Sequence, residues 1–352
     1  MALRLFTPAP EDNPERQTRI RFYKPSELRD YEPEAGAVLV GDCHIMRGEV
    51  FIIGGEPGCG KSTLSTELAI SGATGKPWVG LPVHFRFRTM IIQNENGRYR
   101  LRQEYRARGL GEEIETSILV SEPPPYGMTL NHPDFQADVK AALDSFRPDL
   151  VIFDPWNAAA KDDRAADYSA AFDALRDMLP KGADKPALGI VAHTRKPKPE
   201  EKRTGGTSLM HCLAGSYVIT SVPRAVFILI RGNSHDETDN SVVLFNPKNN
   251  NGEKAPRRAL ELTPAGFEEI PDFDWTEFDG ANGGRNVITD EHIQSALEDA
   301  LVLKKEAVKR LMMKSKCGKR ACQKALDAEG RFASSLRFDG DFVGWKLSLI
   351  HI

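Results

Sequence analysis

The sequence has no apolar run approaching the ~18 residues needed to cross a bilayer. Its longest relevant run, AVFILI at 225–230, is only strand-sized. The start, MALRLFTPAPEDNPERQ, carries too short an apolar stretch for a secretory leader. Both absences predict a cytoplasmic protein without a membrane partner. Cysteine is scarce: Cys43, Cys59, Cys212, Cys317 and Cys322 form no CxxC pair and no Cys/His array at zinc spacing. A disulfide scaffold and a zinc module are therefore not expected, and the thiols read as reduced and buried. Neither sign of charge dominates. A net charge of -3 excludes a wholly basic nucleic-acid coat but not a local basic patch. What is present, 40% hydrophobic and 28% charged residues over 352, is ordinary globular composition and predicts about two domains.

Residues 1–21 are rich in proline and charge and read as a mobile N-terminal segment. From residue 22 a lead-in gives way to a rhythm of short apolar runs and helical stretches. The predicted strands are GEVFIIGG (48–55), RTMIIQNEN (88–96), SILVSE (117–122), DLVIFDP (149–155), ALGIVAHT (187–194), AVFILIR (225–231) and SVVLFNP (241–247). Helices are predicted over 62–71, 99–108, 135–146 and 168–179. This alternation predicts an α/β fold, a mostly parallel sheet with helices on both faces. The last two strands are expected to pair as an antiparallel edge. The core is bounded at 22–271. Residues 272–287, acidic then rich in Gly and Asn, read as a linker, and 288–352 as a small basic domain.

GGEPGCGKST at 54–63 satisfies the phosphate-loop pattern G-x-x-x-x-G-K-[ST], with an apolar strand before it and a helix after it. The cradle is Gly55, Glu56, Pro57, Gly58, Cys59, Gly60, Lys61, Ser62 and Thr63. Its backbone N–H groups and helix N-terminus suit phosphate oxygens. Lys61 is expected to reach the β- and γ-phosphates, and Ser62 to ligate Mg²⁺. Cys59 reads as a small spacer, with a reactive thiol as the alternative. Asp154 ends an apolar strand and can hold the Mg²⁺ shell; the alternative is a strand-end turn residue. Glu95, just past the second strand, can orient or deprotonate water, or it is a turn residue among Asn94, Asn96 and Gly97. His193 ends the fifth strand, either as a neutral γ-phosphate sensor or as a hydrogen-bonded strand-end residue.

In order and spacing, GGEPGCGKST, NEN, LVIFDPWNAAAKDD, IVAHTRKP and GGTSLMH resemble the RecA-like ATPase superfamily. The nearest branch is the AAA-type ATPases similar to plasmid RepA, a hexameric replicative helicase. The resemblance spans roughly residues 22–270 and implies a RecA-like sheet, ATP as substrate and Mg²⁺ as cofactor. It also implies catalytic roles for Lys61, Glu95 and His193. Pro155 and Trp156 stand where an AAA+ protein usually places Asp-Glu, which favours the RecA-like branch. The resemblance further implies a ring or filament of identical subunits whose sites are completed by a neighbour's cation. Arg224, Arg231 and Lys248 are the candidates; Arg231 and Lys248 terminate consecutive strands. Each is otherwise a solvated strand-end cation. The loop TRKPKPEEKRTGGTS would face single-stranded DNA through Arg195, Lys196, Lys198, Lys202 and Arg203, or stay a solvated charged loop.

Residues 301–325 hold nine Lys/Arg and a single acid, Glu306. Two short helices followed by a hairpin through FDGDF resemble a winged helix-turn-helix. Lys319, Arg320, Gln323 and Lys324 are the expected duplex-DNA contacts, with a protein-docking face as the alternative. The leading expectation is a DNA-associated oligomeric ATPase, a helicase or translocase of a plasmid, phage or mobile element. The alternatives are an ATP-dependent DNA-binding switch or loader, and more remotely a small-molecule kinase.

Overall fold

The computed structural model describes residues 22–109, 111–156, 165–182, 185–198, 201, 206–213, 218–233, 238–279, 288–298, 300–315 and 317–346. The expected mobile segment 1–21 lies outside them. The chain divides into a short unit ending at Ala37 and a large unit from Val38 onward. The short unit holds helix α1 (Pro25–Arg29), which starts on a proline and exposes Phe22, Tyr23, Leu28 and Tyr31 around it.

In the large unit, β1 (Val38–Val40) and β2 (Ile45–Met46) form a small antiparallel pair. The main sheet holds β3 (Val50–Gly55), β4 (Thr89–Gln93), β5 (Ile118–Val120), β6 (Leu150–Asp154), β7 (Ala187–His193), β8 (Ala225–Arg231), β9 (Ser241–Asn249), β10 (Arg258–Thr263) and β11 (Gly266–Glu269). Its order is β11-β10-β9-β8-β3-β7-β6-β4-β5. From β8 to β5 the strands run parallel; β9, β10 and β11 add on antiparallel. The parallel sheet flanked by helices is the expected architecture. Two differences arise. The β8–β9 pair is antiparallel as expected but is not the edge, because β10 and β11 extend it. The second strand stops at Gln93, so Asn94-Glu95-Asn96 form a turn.

Strand residues alternate faces, and here both faces are covered. Phe51 and Ile53 of β3 join one apolar cluster, while Ile52 joins the other. Leu150 and Ile152 of β6 divide from Val151 and Phe153 in the same way. Each such side chain contributes roughly 1.5–3 kcal/mol by leaving water, which explains why these strands read as continuous apolar runs. The covering helices include α2 (Lys61–Thr74), α3 (Arg98–Arg108), α4 (Glu112–Ser117), α5 (Pro133–Phe146), α6 (Ala165–Met178) and α7 (Val218–Ser221).

The first half of the stretch read as a linker packs on this core. It contains helix α8 (Trp275–Phe278), and Phe273, Trp275 and Phe278 are half-buried against the sheet's cluster. Arg257 grips Asp279 through both terminal nitrogens at 2.7 and 2.8 Å and lies 4.2 Å over the Trp275 ring. Residues 280–287 lie outside the described residues.

The C-terminal part comprises α9 (Asp290–Leu297), β12 (Val302–Leu303), α10 (Lys304–Ser315), α11 (Lys319–Ala325), β13 (Leu336–Asp339) and β14 (Phe342–Trp345). The last two strands form the hairpin foreseen at FDGDF, and β12 pairs with β14 to make three strands. Ile293, Leu297, Leu311, Cys322, Leu326 and Val343 fill a separate small core.

Candidate nucleotide-binding site

Parallel strands bring their C-terminal ends to one edge, so residues far apart in sequence meet there. Gly55 pairs in register with His193, and Gln93 with Asp154. Between Gly55 and Lys61 the chain curls into the phosphate loop. Gly58 and Gly60 hold φ of 73° and 88°, a region that side chains with a Cβ avoid. A Cβ on Gly60 would also lie 2.7 Å from Phe267 and 3.2 Å from Leu262, so the β10–β11 hairpin backs the loop directly. Cys59 is buried, and burial pushes its thiol up from its ordinary value. It is a packed spacer, as one of its two sequence readings expected.

Lys61 opens α2 and is buried. Its ammonium donates to the Glu56 carbonyl at 3.0 Å and lies 3.3 Å from His193 Nδ1. An ammonium only donates, so Nδ1 of His193 accepts and carries no proton. Burial lowers the His193 pKa, the Lys61 charge lowers it further, and Glu95 opposes both. The net direction favours the neutral ring, the form a γ-phosphate sensor at this position would need. Asp154 is buried and hydrogen-bonds the Ser62 side chain. Burial pushes its pKa up to about 6; Ser62 and Lys61 pull it down, and the Glu95 and Glu104 charges add to the rise.

A hydroxyl beside a buried carboxylate is an oxygen donor pair that suits Mg²⁺. Among the described residues no group of three His, Cys, Asp or Glu could hold a metal.

Glu95 is exposed, and its backbone N–H is accepted by Gln93 Oε1 at 3.1 Å. Gln93 was missed by sequence reasoning. Its Oε1 also accepts from Asn96 N–H at 2.7 Å, and its Nε2 donates to the carbonyls of Asn96 and Ser121, both at 2.8 Å. A glutamine closing an otherwise apolar strand was the available signal. A second missed group ties α3 to α2. Arg108 and Glu104, 4% and 5% exposed, pair at 3.4 Å, and Arg108 reaches the Thr63 carbonyl at 3.4 Å. Glu67 of α2 is pushed up to about 7 by burial, against the pull of Arg108 and the Phe267 N–H. The turn carrying Glu95 is therefore held by Gln93 on one side and by anchored α3 on the other.

The three candidate trans cations separate. Arg231 ends β8 at the phosphate edge and donates to the Pro57 carbonyl of its own loop at 3.3 Å. Lys248 pairs with Val226, at the opposite edge, because β9 runs antiparallel to β8. Ending consecutive strands therefore does not bring Arg231 and Lys248 together. Lys248 donates to the Thr220 carbonyl at 3.0 Å, and its pKa is lowered by burial and then by Arg224. Arg224 also sits at that far edge, 3.5 Å from Glu49.

In the basic loop, Arg195 is committed to Glu201 at 2.6 and 3.0 Å, and Glu201 also accepts from Lys198 N–H at 2.7 Å. The Arg195 guanidinium holds Glu201 down at about 2. Lys196 and Lys198 are exposed; Lys202 and Arg203 lie outside the described residues. Of the C-terminal candidates, Lys319, Gln323 and Lys324 are exposed and Arg320 is half-buried; Lys319, Arg320 and Lys324 also contact the large sheet and its flank.

A phosphate loop on a parallel sheet, with a buried lysine and an oxygen pair at the strand tips, defines a P-loop nucleotide-binding protein. A family model described as an AAA domain matches residues 14–199, just over half of the chain. The chain belongs to that family, which makes it a P-loop ATPase. Among solved structures it is similar to one titled "Crystal structure of the RadB recombinase", at 15% identity and a TM-score of 0.44. That match spans 64% of this chain and 91% of the other. The likeness is shallow. No curated protein matches the chain. No helix among the described residues is long and apolar enough to cross a membrane.

Proposed function

We propose that the protein is a RecA-like, Mg²⁺-dependent ATPase that acts on DNA as a homo-oligomer, in the manner of a RepA-like replicative helicase or translocase. The observation that carries the reading is the convergence of Lys61, Ser62, Asp154, His193 and the Glu95 turn at one sheet edge. Lys61 and the loop N–H groups bind and orient the triphosphate. Ser62 and Asp154 would hold Mg²⁺, which supplies charge stabilisation on the phosphates. Glu95 accepts a proton from the attacking water, and its exposure leaves room for that water. His193, neutral and bonded to Lys61, senses the γ-phosphate and begins the chain segment that leads into the Arg195 loop. The order of the C-terminal helices and hairpin supports the winged-helix expectation.

The trans cation is open to test. Arg231→Ala, Arg224→Ala and Lys248→Ala are compared for hydrolysis and nucleotide binding; a true finger loses turnover and keeps binding. Turnover unchanged in all three would remove the shared-site idea. The main test measures ATPase rate without DNA, with single strands and with duplex, together with the mass in solution on an ATP analogue. A translocating motor requires single-strand stimulation and a ring-sized assembly. The absence of any stimulation removes the motor. A second reading, an ATP-dependent binding switch, is favoured by the docking of α11 on the ATPase core.

A further inference from the structure

The start of α11 meets the large sheet through oppositely charged groups. Arg320 Nη2 lies 3.3 and 3.2 Å from the two Glu261 carboxylate oxygens of β10, and 3.9 Å from Asp239. Lys319 lies 3.6 Å from Asp272, and Lys324 donates to the Thr238 hydroxyl at 2.8 Å. Just before the helix, the Gly318 N–H is accepted by Glu277. A Cβ on Gly318 would fall 2.2 Å from an Asp274 oxygen and 2.3 Å from a Glu277 oxygen, so glycine is what lets both carboxylates close in.

The seat is over-supplied with anions. Asp239 and Glu261 meet Arg320, Asp272 meets Lys319, and Asp274 and Glu277 crowd the Gly318 amide just before the helix, while Lys324 reaches the Thr238 hydroxyl. Closely spaced anionic oxygens meeting Lys and Arg on one helix face are the chemistry a nucleic-acid backbone offers. The cations are half exposed, 50% for Lys319 and 41% for Arg320. Such pairs are individually weak, so a polyanion that engages all three cations at once can displace the seat.

We propose that the acidic seat on the ATPase core competes with the backbone of duplex DNA for the face of α11 that carries Lys319, Arg320 and Lys324. Docking and duplex binding use the same cations and exclude each other. The protein therefore exists in a closed form with this face satisfied internally and an open form in which it grips duplex. The inference rests on the reading of DNA as partner, and deepens it by naming what keeps the second DNA surface covered.

The test uses the full chain, a Glu261→Gln/Asp239→Asn variant, and the same variant with Lys319, Arg320 and Lys324 changed to Ala. Undocking is read without DNA, from hydrogen exchange at the Gly318 amide, with the β3 and β6 amides as the control for folding. Duplex affinity is read from a labelled mixed-sequence duplex at fixed salt. The expected result is exchange at Gly318 faster by about tenfold and duplex affinity raised by about three- to tenfold, the scale of two weak ion pairs. That gain should vanish in the variant lacking the three cations. Faster exchange with wild-type duplex affinity overturns the proposal while leaving DNA binding through another surface intact. Unchanged Gly318 exchange overturns it too, because the charges would not be what docks the helix. If neither the wild type nor the opened variant binds duplex or single strands, the DNA reading itself falls and takes the proposal with it.

Discussion

Lys61 and His193 touch across the site, Nζ to Nδ1 at 3.3 Å, although 132 positions separate them. The contact exists because β3 and β7 are adjacent parallel strands that end together. It couples the lysine of the phosphate loop to a ring at the root of the basic loop. Lys61→Met should therefore do two things. Nucleotide affinity should fall sharply, and the His193 pKa should rise toward its ordinary 6.5 because the Lys61 charge no longer opposes protonation. NMR titration of the imidazole checks the second effect independently of catalysis. A His193 titration that stays put would show that the two side chains do not communicate.

Glu95→Gln should bind ATP normally and hydrolyse it about 10²–10⁴-fold more slowly, the usual range for removing a general base. Gln93→Leu should resemble a milder version of it. It leaves Glu95 in place but removes the acceptor for two N–H groups that shape its turn. The expected drop is about tenfold in kcat with little change in KM. Single-turnover hydrolysis with a parallel binding measurement separates the two. A Gln93→Leu enzyme with wild-type kcat would mean that the turn holds itself.

Asp154→Asn should stabilise the nucleotide-free protein at neutral pH while abolishing Mg²⁺-dependent turnover. The sign follows from the raised folded pKa of about 6 against an ordinary 3.8. A carboxyl raised in this way favours the folded state at low pH, and that advantage is lost as pH rises through 6. At pH 7.5 the wild type bears the full cost of the buried charge, on the order of 3 kcal/mol. Thermal melts across pH should show the Asn variant ahead above pH 6, with the gap closing toward pH 4. A constant gap would point to packing instead of charge.

Arg108→Met should lower stability by about 3 kcal/mol, because it leaves buried Glu104 with only the longer Arg100 contact at 3.8 Å. The damage should reach the active site, since α3 carries the far end of the Glu95 turn. Urea unfolding measures the first effect. Changing Glu104→Leu in the same background should recover part of the loss, and failure to recover would reject the ion pair as its source.

The sheet was legible because its strands are buried on both faces and read as uninterrupted apolar runs. LVIFD and FIIGG declare themselves without tertiary information. The phosphate loop was legible because its chemistry is local, with turn, helix start and lysine all within ten positions. What escaped was relational. Nothing near 258–269 says that RALELT and GFEE extend the sheet and back Gly60; their polar alternation marks strands with one wet face. Arg231 and Lys248 looked like partners because each closes a strand, and only the antiparallel pairing shows that they point to opposite edges. Residues 272–279 read as spacer from their acids, whereas Phe273, Trp275 and Phe278 anchor them. That Lys319, Arg320 and Lys324 also meet the core escaped because the carboxylates and hydroxyl they reach lie some 47 to 86 positions earlier.

β10 touches both α11 and the phosphate loop through neighbouring residues. Glu261 points toward Arg320, and Leu262, one step along, points toward Gly60 of the phosphate loop. Alternation along a strand makes the two contacts inseparable in register. Inserting or deleting a single residue between Arg258 and Leu262 would turn the leucine to the C-terminal helix and the glutamate onto the glycine. One frame error would then unseat α11 and strip the wall behind the phosphate loop together. The backing of the phosphate loop and the seat of α11 both depend on the phase of the same six-residue strand.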